Sequence, residues 1–358
     1  MRVRVSGCGG LLRVGDRLVW DDHLSHRQLA LADGVERVLG WFRTWRELGS
    51  IRAADPDVRT GEWLERAAEA LLDRDILVAE GSDRDRTEQE IAREWAGWGP
   101  HAPAFYFGTR SHRSALYITD AEDAARLAAK LTTDPPPVPF RRFPGSSTVA
   151  LPDVDRGLLS GRDFVDVLRQ RRSHRMFGRA ELDLGTLATL LKLAAGPLSH
   201  KDGALAAESG SVFKTSPSGG ARHPTEFYVY ALRVRDLAPG LYHYAADTHL
   251  LEDLDRRATP EFLVAACGDQ EWVADASALV FYTSVRARSA WKYDMGRALR
   301  ILFLDVGHLS QTVYLLAAAL GLRVTFTAAL RDESVEELLG CDPVREIIIG
   351  TSVLGTEP

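Results

Sequence analysis

The most regular feature of the sequence is an apolar stripe within residues 297–320. Its members recur at alternating steps of four and three residues: Leu302, Val306, Leu309, Val313, Leu316 and Leu320. This spacing places them on one face of an α-helix, and Gly321 follows directly, as is typical of a helix end. The stripe predicts a long helix that packs along its whole length, either in a core or across a subunit interface.

The other elements predicted between residues 151 and 358 are shorter. Ser160-Gly161-Arg162-Asp163 is a variant capping box that predicts a helix from Phe164, and a second helix at 184–195 stops at Gly196-Pro197. Strands are predicted at 227–234, 279–285 and 347–349, and at Leu241-Tyr242-His243-Tyr244 after the turn Pro239-Gly240. Helices and strands mix without strict alternation, which predicts an α+β fold class.

Residues 1–95 differ from this pattern. Short strands are predicted at 2–6 and 11–20, helices at 27–48 and 61–75, and a strand at 76–78. Two helices with flanking strands are typical of a small winged-helix-like domain, which suits peptide binding and DNA binding equally well. Acidic residues interleave with the arginines, which favours peptide recognition.

Residues 96–150 are predicted to connect the two regions. Asp134-Pro135-Pro136-Pro137-Val138-Pro139 is dense in proline, and such segments favour extended polyproline structure and act as spacers. We therefore predict a domain boundary within this connector, between residues 1–95 and residues 151–358.

Composition argues against several classes of function. The chain has 358 residues and a net charge of −6, without the basic footprint that nucleic-acid binding usually leaves. Its three cysteines, Cys8, Cys267 and Cys341, form no CxxC or Cys/His cluster, so neither a metal site nor a disulfide framework is expected and a cytoplasmic location fits. No run of 18 apolar residues occurs, so no membrane span is predicted.

Arg171-Arg172-Ser173-His174-Arg175 is a candidate phosphate site at the end of a predicted helix. Arginine offers forked donors that are always charged, and serine adds a neutral donor. A solvated helix end is the alternative interpretation, since cations are also favourable there.

Pro217-Ser218-Gly219-Gly220-Ala221-Arg222-His223-Pro224 is a candidate ligand-contacting loop. Adjacent glycines allow the backbone to approach a flat ligand closely. A flexible loop is the simpler alternative, but proline on both sides favours a loop of defined shape.

Taken in this order, the two segments resemble the nitroreductase superfamily and specifically its SagB/ThcOx branch. The further segments that resemble the branch follow in the same order along the chain: Pro239-Gly240-Leu241-Tyr242-His243-Tyr244, Gly268-Asp269-Gln270, Lys292-Tyr293, Leu304-Asp305-Val306-Gly307-His308 and Ala319-Leu320-Gly321-Leu322. The resemblance spans residues 160–355 and implies a nitroreductase-like fold with a central sheet flanked by helices. The family's glycine-rich stretch after the long helix is here Val324-Thr325-Phe326-Thr327-Ala328-Ala329.

The resemblance also implies a cofactor, FMN, bound between the two protomers of a homodimer. By this analogy Arg171, Arg172, Ser173 and Arg175 hold the phosphate and ribityl side. Pro217, Ser218, Gly219 and Gly220 lie along the ring and come from the partner subunit.

The reaction implied by the resemblance is oxidation of thiazoline or oxazoline rings to azoles in a ribosomally made precursor peptide, alongside a cyclodehydratase partner. A base is needed beside the flavin, and the family places a Lys-Tyr pair there, which assigns Lys292 and Tyr293. Without this context, a surface lysine beside a half-buried tyrosine is the simpler interpretation. Both side chains ordinarily titrate near pH 10 and must be perturbed to accept a proton near neutrality.

Other functions stay open from the sequence. A flavin-dependent reductase of dehydroamino acids or nitro compounds would consume NAD(P)H, whereas the dehydrogenase needs only oxygen. A non-catalytic scaffold that recruits a partner enzyme would bind no flavin.

Overall fold

The structure is a computed structural model and describes residues 1–200 and 211–358. The chain divides into two compact units, Met1–Tyr117 and Ile118–Pro358, which are treated separately below.

The first unit contains two small antiparallel sheets and four helices within its bounds. The strands are β1 (Arg2–Val5), β2 (Gly9–Val14), β3 (Arg17–Asp22), β4 (Arg27–Ala30), β5 (Arg46–Glu47) and β6 (Leu77–Ala79). The helices are α1 (Val35–Trp41), α2 (Val58–Leu72), α3 (Asp83–Glu94) and α4 (His101–Gly108). One sheet has the order β5-β1-β6 and the other β2-β3-β4. Val3, Val38, Phe42 and Leu64 are fully buried in the core of this unit.

The predicted helix at residues 27–48 is wrong at both ends, where β4 pairs with β3 and β5 pairs with β1. Within that range the α-helix covers Val35–Trp41. The carboxylate of Asp22 accepts hydrogen bonds from the backbone N–H groups of Leu24 and Ser25, which closes a tight turn. Gly34 has a φ of 87° directly before α1. These local turns return the chain to the sheet and override the helical spacing of its apolar residues.

The second unit is built around an antiparallel sheet. Its strands are β7 (Thr148–Ala150), β8 (Ser199–His200), β9 (Val212–Phe213), β10 (Thr225–Ala231), β11 (Gly240–Ala245), β12 (Leu250–Asp253), β13 (Ala278–Val285), β14 (Arg323–Thr327) and β15 (Glu346–Gly355). Its helices are α5 (Asp120–Thr133), α6 (Phe164–Gln170), α7 (Leu184–Ala195), α8 (Pro260–Ala266), α9 (Arg286–Lys292), α10 (Ala298–Leu320) and α11 (Asp332–Leu339). Among the described residues, seven strands pair in the order β14-β15-β13-β10-β11-β12-β7.

Both faces of this sheet are covered, as β10 illustrates. Phe227, Val229 and Ala231 point into the core that contains α7 and α10. Tyr228 and Tyr230 point into the opposite core, which contains α8 and α11. Because side chains alternate along a strand, a fully apolar strand is expected when both faces are buried. The α+β fold class is therefore confirmed.

The long helix predicted from the apolar stripe is confirmed as α10. Gly321 ends it with a φ of 73° and donates its backbone N–H to Ala317 and Ala318. Val306 and Val313 are buried against the sheet. By length and composition alone, α10 is the one helix of the described ranges that could span a membrane, a test that core helices also pass.

The last part of the proline-rich segment and the residues that follow it lie against the sheet and α9 of the second unit. The backbone N–H of Phe143 donates to Glu252 Oε1 at 3.3 Å, and Arg288 Nε donates to the carbonyl of Val138 at 2.9 Å. Arg141 pairs with Glu346, a carboxylate buried in β15. Residues 138–143 are thus held by buried polar groups of the sheet and of α9.

Candidate functional site

The loop Pro217–Gly220 is anchored on α10 by a buried carboxylate. Ser218 Oγ donates to Asp305 Oδ2 at 2.6 Å, and the backbone N–H of Gly219 donates to Asp305 Oδ1 at 3.2 Å. The backbone N–H of His223 donates in turn to Ser218 Oγ at 2.9 Å. Burial raises the pKa of Asp305, against the effect of these hydrogen bonds. The loop therefore has a defined shape, as its flanking prolines predicted.

The two glycines are required by close contacts. A Cβ on Gly219 would lie 2.4 Å from Ile301 Cγ2. Gly220 has a φ of 61°, and a Cβ there would lie 2.7 Å from Lys292 Cδ and 2.8 Å from Tyr293 Oη. No real Cβ makes contacts this short, and a positive φ disfavours any L side chain. The loop backbone is thus pressed against α10 on one side and against the Lys-Tyr pair on the other.

Lys292 and Tyr293 stand at the C-terminal end of α9. Lys292 Nζ lies 3.6 Å from Asp123 Oδ2 of α5 and 5.7 Å from the centre of the Tyr293 ring. The pKa of Tyr293 is raised, first by burial and then by the negative charges of Asp123 and Asp305. A raised pKa keeps the phenol protonated near neutrality, so Tyr293 is a hydrogen-bond donor in this site.

The arginine segment lies beyond the end of α6. Ser173 Oγ and Tyr314 Oη are 2.9 Å apart, and the guanidinium of Arg171 lies 5.4 Å from the centre of the Tyr314 ring. Arg172 donates to the carbonyls of Arg169 and Arg171. Within the described ranges, neither these arginines nor Arg175 forms a salt bridge. Their charges are therefore not neutralised by carboxylates and suit an anion.

The two candidate segments contact α10 on opposite sides. Asp305 holds the glycine loop and Tyr314 contacts Ser173, nine residues further along the helix. Nine residues advance an α-helix by about 13 Å and turn it through about two and a half turns. The structure therefore brings Pro217–Gly220 together with Lys292 and Tyr293, and it places the arginine segment on the other face of the helix.

The segment that departs from the family pattern is supported by Gly268-Asp269-Gln270. Gln270 Nε2 donates to Thr327 Oγ1 at 3.0 Å and to the carbonyl of Cys267 at 2.6 Å. Gly268 has a φ of 68°, and a Cβ there would lie 2.8 Å from the carbonyl oxygen of Ala329. Gly268 and Gln270 therefore support the end of β14 and the residues directly after it, a stretch that itself contains no glycine.

Two residues of the site were not predicted as such. Asp305 had a signal in the sequence, because a single carboxylate inside an apolar helix needs buried partners. Asp123 had none, because it comes from a part of the chain that the motifs do not cover, and only folding places it beside Lys292.

Comparison with known proteins agrees with this architecture. The model of the nitroreductase family matches residues 168–356. A protein of Methanocaldococcus jannaschii named as a nitroreductase, MJ1384, is 32% identical over 192 residues, which cover 53% of this chain and 88% of the relative. The trifolitoxin-processing protein TfxB of Rhizobium leguminosarum bv. trifolii is 30% identical over 181 residues, 49% of this chain, and the match spans 47% of TfxB.

Among solved structures, one from Anabaena variabilis named as a nitroreductase is 26% identical, with a TM-score of 0.47, covering 65% of this chain and 46% of the other. The family match extends over more than half of the sequence and includes the arginine segment, the glycine loop, the Lys-Tyr pair and α10. The chain therefore belongs to the nitroreductase family, whose members are oxidoreductases and typically bind flavin.

Proposed function

We propose that this protein is an FMN-dependent dehydrogenase that oxidises thiazoline or oxazoline rings of a ribosomally made precursor peptide to thiazoles or oxazoles. The observation that carries the proposal is the contact of Lys292 and Tyr293 with Gly220, which places a candidate base and a proton donor against the loop assigned to the flavin ring. A peptide substrate is supported by the relative whose name describes the processing of trifolitoxin.

The residues fit FMN in two respects. Arg171, Arg172, Ser173 and Arg175 would hold the phosphate and ribityl side, because the guanidinium groups form no salt bridge among the described residues and are free to bind an anion. The loop Pro217–Gly220 would lie along the ring, because Asp305 holds its backbone in one shape while none of its four residues is fully buried.

The placement of these segments on α10 supports a homodimer. Since the two segments lie on opposite faces of one helix, a single chain does not present both to one ligand. The glycine loop of the partner subunit would complete each site. Large apolar side chains on the surface of α6 and α10, including Leu168, Phe303 and Leu304, are exposed in the single chain, and a partner subunit would cover such a surface.

The chemistry requires two hydrogens to leave the azoline ring. When bound, FMN would supply the oxidising chemistry, which is acceptance of one hydrogen as a hydride and reoxidation by oxygen. Lys292 Nζ would accept the other as a proton from the adjacent ring carbon. Tyr293 would remain protonated, since its pKa is raised, and would donate a hydrogen bond that orients the ring. Lys292 is accordingly assigned as the base and Tyr293 as the orienting donor.

In the same reaction, the first unit would be a winged-helix-like domain that binds the precursor peptide. Its content of two small sheets and four helices is compatible with a recognition domain. A cyclodehydratase would supply the azoline rings, and the cytoplasm would be the setting for both enzymes.

The proposal is tested with the purified protein in air. We expect the visible absorption spectrum of oxidised flavin, release of FMN identified by its mass, and loss of two hydrogens for each ring of a thiazoline peptide. Lys292→Ala should retain FMN and lose the oxidation. Oxidation of NAD(P)H with a nitro or dehydroamino acid substrate would support the reductase instead, and a protein that binds no added FMN would leave only the scaffold.

A further inference from the structure

Helix α5 forms hydrogen bonds with the segment that carries the Lys-Tyr pair. Arg126 Nη2 donates to the carbonyl of Lys292 at 2.9 Å, and Lys130 Nζ donates to the carbonyl of Trp291 at 2.7 Å. In return, Trp291 Nε1 donates to the carbonyl of Asp134 at 2.6 Å. Residues 120–134 precede the segment that matches the family model, so these contacts come from outside it.

These bonds meet a requirement of α9. The last carbonyl groups of a helix have no partner within the helix, and positive charges near them are favourable. Arg126 and Lys130 supply both a donor and a positive charge to the carbonyls of the final two residues. The backbone beneath Lys292 is therefore fixed by α5.

The side chain of Lys292 is paired with the same helix. Asp123 Oδ2 lies 3.6 Å from Lys292 Nζ, and Asp123 Oδ1 accepts a hydrogen bond from Arg126 Nη2 at 2.8 Å. The hydrogen bond from Arg126, and then the charge of Lys292, hold the pKa of Asp123 below its usual range. Asp123 is therefore an anion near neutral pH, with Arg126 on one side and Lys292 on the other.

We infer that Asp123 is a positioning residue of the active site, which directs the amine of Lys292 and stabilises the ammonium formed when Lys292 accepts the substrate proton. The inference rests on the proposed function for its catalytic part. A neutral amine gains a positive charge during proton transfer, and a carboxylate beside it lowers the energy of that charge. About a quarter of each side chain is exposed, so solvent reduces the effect to the range of a partly screened pair.

The other groups around Lys292 do not replace Asp123. Arg126 carries the same sign as the ammonium, and Tyr293 is held neutral by its raised pKa. Asp305 acts on Tyr293 from α10 and is engaged by the glycine loop. Among the described residues, Asp123 is therefore the carboxylate that forms a salt bridge with Lys292.

The test measures the ammonium of Lys292 directly in the FMN-bound protein. The chain has five lysines, Lys130, Lys192, Lys201, Lys214 and Lys292. Few NMR signals are therefore expected when lysine is labelled with ¹³C at Cε. The signal that is missing in Lys292→Arg belongs to Lys292. Asp123→Asn should lower the pKa of Lys292, because it removes the negative charge that favours the ammonium. Asp123→Glu should keep the pKa near that of the unmodified protein.

The same variants are assayed with a thiazoline peptide over a range of pH. We expect Asp123→Asn to lower kcat about fivefold on the alkaline plateau of the profile, where the base is deprotonated in both proteins, with little change in KM. The acidic limb of the profile should move to lower pH. Asp120→Asn, at the exposed first residue of the same helix, is the matched control and should change neither quantity. Thermal melting and retained FMN identify any variant that has simply lost its fold, and Asp123→Glu then provides the folded comparison.

The possible outcomes separate the two proposals. An unchanged titration of Lys292 in Asp123→Asn overturns the inference, even if kcat falls, because a loss of packing alone would also lower kcat. A shifted titration supports it. If the titration shifts but the unmodified protein oxidises no azoline peptide, the pairing of Asp123 with Lys292 stands and the proposed reaction is contradicted.

Discussion

The glycine loop and the arginine segment both depend on α10, but in different ways. The loop is held by Asp305, a buried carboxylate that accepts from Ser218 and Gly219. The arginine segment is mostly exposed. It contacts the helix through the neutral hydroxyl groups of Ser173 and Tyr314 and through the guanidinium of Arg171 over the Tyr314 ring. A buried charged acceptor commits a loop to one shape, whereas unneutralised arginines remain available to an anion. The comparison indicates that protein contacts fix the shape of the proposed ring side of the site, whereas the proposed phosphate side offers charged groups to an anion.

The largest effect is expected from Gly220→Val, which would break the shape of the loop. The new side chain would need a positive φ and would meet Lys292 and Tyr293 at distances far below van der Waals contact. A displacement of about 1 Å in catalytic groups lowers rates about 100-fold, so we expect at least this loss in kcat/KM for a thiazoline peptide. Gly40→Ala is the control, because a Cβ there meets no atom within 4 Å. A Gly220→Val protein that keeps its activity would contradict the assigned site.

The next effect is expected from Asp305→Ala, which removes the anchor of the loop. Two donors, Ser218 Oγ and the backbone N–H of Gly219, would lose their acceptor. We expect a loss of about 2–3 kcal/mol in the free energy of unfolding of the FMN-free protein, measured by urea denaturation. Asp305→Asn keeps an acceptor and should lose less.

The same residue gives a prediction for pH. Burial raises the pKa of Asp305, so the folded chain binds this proton more tightly than the unfolded chain. Its contribution to stability is then fully present below the unfolded pKa and is lost as pH rises through the folded pKa. The stability of the unmodified protein relative to Asp305→Asn should therefore decrease from mildly acidic to neutral pH. A difference that increases instead would contradict the assigned direction.

The smallest effect is expected from Arg172→Gln on the phosphate side. We expect about a tenfold weaker affinity for FMN, an effect that salt should reduce, because one forked charged contact with phosphate is lost. Riboflavin has no phosphate, so its affinity should not change. The free energy of unfolding without ligand should also remain the same, in contrast to Asp305→Ala. Arg179→Gln, on the exposed surface nearby, is the matched control, and an equal loss of riboflavin affinity would argue against phosphate binding.

Sequence patterns were reliable where a single periodicity controlled the structure. The stripe from Leu302 to Leu320 predicted α10. Helix α7 begins after Asp183 and ends before Gly196, at the predicted bounds. The pattern failed at residues 27–30, where apolar spacing suited a helix but pairing with β3 formed a strand. The strand with which a segment pairs lies elsewhere in the chain. The spacing of apolar residues within one segment therefore does not show whether such a partner exists.

The sequence by itself determined the α+β class, the long helix and the order of the motifs that place the chain in its family. These features depend on local periodicity, on turn residues and on short contiguous segments, all of which one chain displays in order. Only the tertiary structure placed Gly220 against Lys292 and Tyr293, set the arginine segment on the opposite face of α10, and brought Asp123 to Lys292. These contacts join residues that are far apart in the chain, and they exist only because burial of the apolar faces brings the helices and the sheet together.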